Sequence, residues 1–281
     1  MDGPNAVAVS AEGFGLKGPR GWAFRGVDID AEPGALVVVE GPSGSGRTCL
    51  LLALTGRMRS TEGAASVGPF RLPKQLSAVR RISTLAHVPG VTDLDPALTV
   101  EEHLRERALL HRRFDGSLRA LLRPRGMGVP PARAESRAWG RAAASRARID
   151  TALAAAGLDR EALPKGTRTA VRDLERIEAL RLSVALALIG RPRLLGVDDT
   201  DLKLSGAERT QVWDLLRSVA ESGTTVVAVG SEAPKDAVVV STAPRDEADE
   251  QSPGNPGTAK NENPGTDKKE TADALAEAGR A

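Results

Sequence analysis

The chain has 281 residues, 41% of them hydrophobic, with a formal charge of +2 and one cysteine. That length holds one large domain or two small ones, and the near-balanced charge argues against general affinity for nucleic acid. A lone Cys49 excludes an internal disulfide and fits a reducing cytosol; no apolar run reaches the roughly 20 residues of a spanning helix, and "MDGPNAVAVSAEG" lacks the regions of a signal peptide.

In chain order, the first 70 residues alternate short apolar runs with Gly- and Pro-bounded turns, and "NAVAVSAEGFGL", "WAFRGVDIDA" and "ALVVVE" read as strands. The glycine-rich "GPSGSG" follows, then a helix over "RTCLLLALTGRM" that ends near Gly56. "RRISTLAHVP" reads as the next strand, ahead of a helix "TVEEHLRERALLHRRF" opened by Thr99 and Glu102 at capping-box spacing. From about 100 to 190 the pattern is helical, broken at "RPRGMGVPPA". Strands return at "RLLGVDD", "TTVVAVGS" and "DAVVVST", with the helix "SGAERTQVWDLLRSVAESG" after the first of them, capped by Ser205 and Glu208. Buried strands alternating with helices predict an α/β fold over residues 1–242, with a helical subdomain inserted at approximately 90–190. Residues 243–281, rich in Asp, Glu, Pro, Gly and Asn, predict a disordered acidic and polar tail.

The stretch "VVVEGPSGSGRTC" places Gly41, Ser43, Gly44, Ser45, Gly46, Arg47, Thr48 and Cys49 between a strand and a helix. A loop of the form G-x-x-x-x-G-K-[ST] in that context turns backbone amides and a helix N-terminus toward a polyphosphate. Gly41, Gly46 and Thr48 match it, and Gly44 adds a glycine where the backbone must approach phosphate. Arg47 stands where lysine is usual. Its planar fork is not equivalent to a compact ammonium, so the γ-phosphate is the group whose positioning changes most. Thr48 is the expected Mg²⁺ ligand, and the hydrophobic strand "RLLGV" leads to Asp198, the expected acidic partner of that ion.

With these two pieces about 150 residues apart and helices between them, the chain resembles the nucleotide-binding domain of ATP-binding cassette (ABC) proteins. The resemblance runs from about residue 5 to 242, with "GPSGSGRTCLLLALTGRMRSTEGAASVG" and "DPALTVEEHL" similar to that family's loop and to the start of its helical subdomain. It implies a P-loop NTPase fold of ABC type, a mixed β core, ATP and Mg²⁺ as ligands, a dimer of nucleotide-binding domains and a membrane permease as partner. A cytoplasmic location follows, peripheral at the inner face of the membrane through the permease.

Several family positions are altered. Asp199 takes the place of the glutamate that serves as base, one methylene further back, and misplacement of that order costs on the order of a hundredfold. "LERIE", Leu174 to Glu178, occupies the place of the signature that meets a partner's γ-phosphate. Ser231 replaces the switch histidine; His87 or Gly90 stands for the loop glutamine; Trp22 and Phe14 are candidates for the adenine-stacking aromatic, against ordinary core roles; Ser205 falls where an aspartate is usual and reads as a helix cap. Losses that act on one transition state imply retained binding and slow turnover.

Between Arg105 and Arg148 lie twelve arginines against three acids, which in an Arg-rich chain reads as a solvated helical face. Only Phe114 and Trp139 are interleaved, too few aromatics for base stacking. Cys49, with no histidine nearby in sequence, reads as a small buried filler. Two functions are consistent with these residues: an ATP-binding transporter subunit with weak or partner-dependent hydrolysis, and a catalytically inactive, nucleotide-responsive regulatory subunit. A small-molecule kinase is disfavoured, since no lid-like arginine motif is assignable.

Overall fold

A computed structural model describes residues 5–114, 131–200 and 203–243, with backbone alone for 112–114, 131–139 and 141. All lie in the unit Met1–Arg245; the unit Asp246–Ala281, most of the Gly/Pro break, and the rings of Phe114 and Trp139 fall outside the described residues.

The chain opens on two long antiparallel strands, β1 (Val9–Gly18) and β2 (Gly21–Ala31), paired from Val9 opposite Ala31 to Gly18 opposite Gly21 with register shifts between Ala11 and Lys17. Then come β3 (Leu36–Glu40), α1 (Arg47–Leu54), β4 (Glu62–Val67), β5 (Phe70–Leu72), α2 (Leu76–Ile82) and β6 (Ser83–Leu85). The helical part holds α3 (Val100–Phe114), α4 (Pro131–Ala155), two short 3₁₀ turns and α5 (Arg176–Leu188). The core resumes with β7 (Leu194–Val197), α6 (Gly206–Glu221), β8 (Thr225–Val229) and β9 (Val238–Ser241).

These strands make two sheets. One is antiparallel, in the order β2-β1-β4-β5; the other is wholly parallel, in the order β6-β7-β8-β3-β9. Such a parallel sheet is covered on both faces, and its strands are continuously apolar for that reason. On β3, Val37 and Val39 pack with α1 and the antiparallel sheet, while Leu36 and Val38 join the cluster built on α5 and α6. The mixed α/β architecture is the one the apolar pattern predicts.

One predicted strand needs correction. "RRISTLAHVP" is helical as far as Ile82, and β6 keeps only Ser83–Leu85. Ala78, Val79 and Ile82 recur at helical spacing, and Val79 is buried against the core under the antiparallel sheet. Both capping boxes form: Thr99 N–H donates to Glu102 at 2.7 Å and Ser205 N–H to Glu208 at 2.7 Å.

Arg57 joins the end of α1 to β6. Its guanidinium donates to Thr55 O (2.6 Å), Ser83 Oγ (2.8 Å) and Ser83 O (3.1 Å). Burial, then the Arg80 and Arg107 charges, pulls its pKa down to about 10, so it remains a cation at neutral pH. Arg57→Ala strips a charged donor from buried acceptors and is expected to cost about 1–3 kcal/mol, read as a shift of the urea midpoint at unchanged slope.

Candidate nucleotide site

Because the sheet is wholly parallel, the carboxyl ends of β7, β8, β3 and β9 lie along one edge. Ligands of open parallel sheets bind at such ends. The glycine-rich loop leaves β3 there. Gly41 has φ 153°, and a Cβ on it would lie 2.6 Å from Ser45 Oγ; Gly46 has φ 82°, and a Cβ on it would overlap the carbonyl of Ala23 and sit 3.2 Å from Phe24 N. The loop is therefore pressed onto β2, with Ser43 and Gly44 exposed at its mouth.

Helix α1 starts at Arg47 with no side-chain cap and no acid in its first turn. The contrast with α5 is informative. There Glu178 folds back to accept the Glu175 N–H at 2.8 Å as half of a capping box. One helix start leaves its amide donors and partial positive charge without a side-chain cap; the other, at "LERIE", is closed by its own carboxylates.

Thr48 Oγ1 donates to Asp198 Oδ2 at 2.6 Å, and Asp199 N–H donates to Asp198 Oδ1 at 2.9 Å. Asp198 is 2% exposed, and burial raises its carboxyl above the usual range, partly offset by these two hydrogen bonds. Asp199, half-buried, has φ 48°, a left-handed conformation that aspartate tolerates better than most residues. Among the described residues no group of three His, Cys, Asp or Glu converges to hold a metal. One buried carboxylate with a hydroxyl beside it fits Mg²⁺, an ion that takes one or two carboxylates and completes its shell with phosphate oxygens and water.

The other expected residues fall around this centre. Arg47 Nη1 donates to Gly230 O at 3.3 Å, so the cation points at the residue before Ser231. Cys49 is half-buried, and burial, then Asp198, raises its thiol pKa, which keeps it protonated. His87 O accepts the Asp198 N–H at 2.6 Å, whereas Gly90 sits in an exposed turn with its N–H on Asp93 Oδ2, 2.9 Å. Phe14 is core: it is fully buried and packs on Phe24 with centroids 5.7 Å apart. Trp22 is not core. It is 38% exposed, one residue from the Ala23 carbonyl that meets the loop, with Arg25 at 5.0 Å and Lys17 at 5.4 Å from its ring centroid.

Three residues at the site were not singled out by the sequence. Glu40 Oε1 accepts the Ala233 N–H at 2.6 Å; Thr242 Oγ1 lies 2.6 Å from Ser45 Oγ; Gly230 receives Arg47. A carboxylate directly before the loop was the one available signal, since the rest of β3 is apolar.

A glycine-rich loop after a central parallel strand, an uncapped helix behind it and an aspartate directly after a nearby strand define a P-loop NTPase. The sequence model of the family described as ABC transporter matches residues 24–201, and the chain belongs to that family. Its relatives include the phosphonates import ATP-binding protein of Thiobacillus denitrificans, 27% identical over 78% of this chain and 76% of the relative. The cytochrome c biogenesis ATP-binding export protein of Pseudomonas putida is 36% identical over 38% of this chain and 50% of its own length. The Nod factor export ATP-binding protein I of Cupriavidus metallidurans is 28% identical over 72% of this chain and 55% of the relative. The chain thus spans about half the length of the last two. Among solved structures, a dimeric bacterial ABC transporter cassette shares the fold at TM-score 0.56, with 20% identity over 84% of this chain and 94% of that one. Among the described residues no helix is long and apolar enough to cross a membrane.

Proposed function

We propose that the chain is the ATP-binding subunit of an ABC-type transporter, taking Mg·ATP at the loop Gly41–Cys49 and hydrolysing it weakly or only with a partner. The observation that carries this is the pairing of an uncapped α1 start with the Thr48–Asp198 contact at its first turn. Gly41, Ser43, Gly44, Ser45, Gly46, Arg47, Thr48 and Cys49 would surround the phosphates; Thr48 and Asp198 would hold Mg²⁺, which neutralises charge on the phosphate oxygens. Asp199 is the remaining candidate to orient water, from a position shortened by one methylene. Trp22 is the aromatic near the loop that is exposed enough to stack on a base.

A partner is part of this reading. The relatives' names describe import and export proteins, and one solved cassette is a dimer, which supports pairing with a second nucleotide-binding domain and a membrane permease at the cytoplasmic face. The self-capped start of α5 favours the second reading, a catalytically inactive regulatory subunit, because Glu175 and Glu178 set negative charge where a partner's phosphate would arrive. Phosphate release by the purified chain separates them. Turnover that disappears in Thr48→Ala and Asp198→Ala supports the weak ATPase; saturable binding with no release above background supports the regulatory subunit.

A further inference from the structure

Arg47 is anchored. One of its terminal nitrogens donates to the carbonyl of Gly230, the first residue beyond β8. Gly230 is in turn a junction. Its N–H donates to Val39 O (3.2 Å) on the strand that feeds the loop, and the Trp213 ring of α6 lies 2.9 Å from where its Cβ would be. Thr200, two residues past Asp198, donates twice to the preceding carbonyl, Val229 O, from N (3.1 Å) and Oγ1 (2.9 Å). Three residues on, the Ala233 N–H is held by Glu40, which directly precedes Gly41.

We propose that Arg47 is a coupling residue: its guanidinium binds polyphosphate with the donors not used on Gly230, and thereby reports occupancy of the loop to the segment Gly230–Ala233. The proposal rests on the nucleotide reading above and adds to it the route by which occupancy is signalled. The chemistry of the side chain supports it. Guanidinium carries five donors in a flat fork and can serve a carbonyl and a phosphate together, whereas an ammonium concentrates three donors at one point and would face one or the other. A phosphate drawing the fork toward the loop mouth strains or breaks the 3.3 Å bond to Gly230, already long for a charged donor. Gly230 cannot shift alone, because Trp213 and Thr200 pack on it and Val39 O accepts its N–H. Arginine at position 47 is thus a gain of a second contact, placed beside Ser231, where the family resemblance implies a switch histidine.

The test uses the full chain with Mg·ATP, Mg·ADP and inorganic phosphate as probes, following amide exchange in peptides that span 230–237 together with binding by titration. In the wild type, saturating Mg·ATP is expected to change exchange at Ser231 to Ala233 several-fold. Arg47→Lys, which keeps the charge but not the fork, is expected to weaken nucleotide binding by up to about tenfold, about 1.4 kcal/mol, and, at nucleotide concentrations that saturate the variant, to lose the exchange response. Arg47→Gln, which keeps a donor for Gly230 but no charge, should bind more weakly and also fail to respond. If Arg47→Lys binds and still shows the wild-type change, coupling does not pass through Arg47 and the proposal fails. Saturable binding to the wild type with no change at 231–233 also overturns it, leaving the nucleotide reading intact. Absence of binding in the titration removes the nucleotide reading and the proposal with it.

Discussion

Gly46→Ala is expected to destabilise the chain by roughly 2–5 kcal/mol and to abolish nucleotide binding, the largest effect of any single change at the loop. Two penalties combine. Gly46 has φ 82°, a left-handed conformation that costs an L side chain roughly 1–2 kcal/mol. Its Cβ would also enter the carbonyl of Ala23, and that obstacle is backbone rather than the far end of a side chain, so no rotamer change moves it aside. Relief requires the loop to lift off β2, which moves the start of α1 and separates Thr48 from Asp198. Against a total stability of about 5–15 kcal/mol, such a loss is large. Denaturant midpoints measure the first part and nucleotide titration the second; an alanine variant with unchanged midpoint would show that the loop is not held against β2.

Asp198→Asn is expected to act in opposite directions on stability and on ligand. In the free chain, burial raises the Asp198 carboxyl, so the folded state favours its protonated form. For a raised carboxyl, the stability it contributes is fully present below the unfolded value, near pH 4, and is lost as pH rises through the folded value. At neutral pH the buried charge is therefore a cost. Asparagine removes the charge, can donate to Thr48 Oγ1 through its amide and still accepts the Asp199 N–H. The variant should melt above the wild type at pH 7 without nucleotide, and the gap should narrow as pH falls toward 4. With nucleotide the order reverses, because the charged partner of Mg²⁺ is gone: Mg²⁺-dependent affinity should fall on the order of 10- to 100-fold. A variant that melts below the wild type at pH 7 would contradict the electrostatic account of Asp198.

Much of this was legible in the residues. "ALVVVE", "RLLGV" and "TTVVAV" are continuous apolar runs because the parallel sheet is buried on both faces, and Thr99 with Glu102 announces a helix start through a local hydrogen-bond pattern. The strand β4 was not visible, since "EGAASV" has one β-branched residue and gains its place by pairing with β1. Short β6 was overextended because Ile82 belongs by spacing to the helix before it. The approach of Thr48 to Asp198 was readable from the loop motif and the strand before Asp198. The braces Glu40 to Ala233, Ser45 to Thr242 and Arg47 to Gly230 join residues 183 to 197 positions apart, and nothing local marks them. The position of Trp22 was likewise undecided until its exposure and its neighbour Ala23 were known.

The central claim is that the loop still binds nucleotide although the residues around it disfavour rapid turnover. One calorimetric titration of the full chain with ATP, run with and without Mg²⁺ and followed by a phosphate assay on the same sample, tests it most directly. The account predicts saturable binding at one site, tighter with Mg²⁺, and little phosphate over the time of the titration. No saturation at millimolar ATP, or rapid phosphate release by the chain alone, would contradict it.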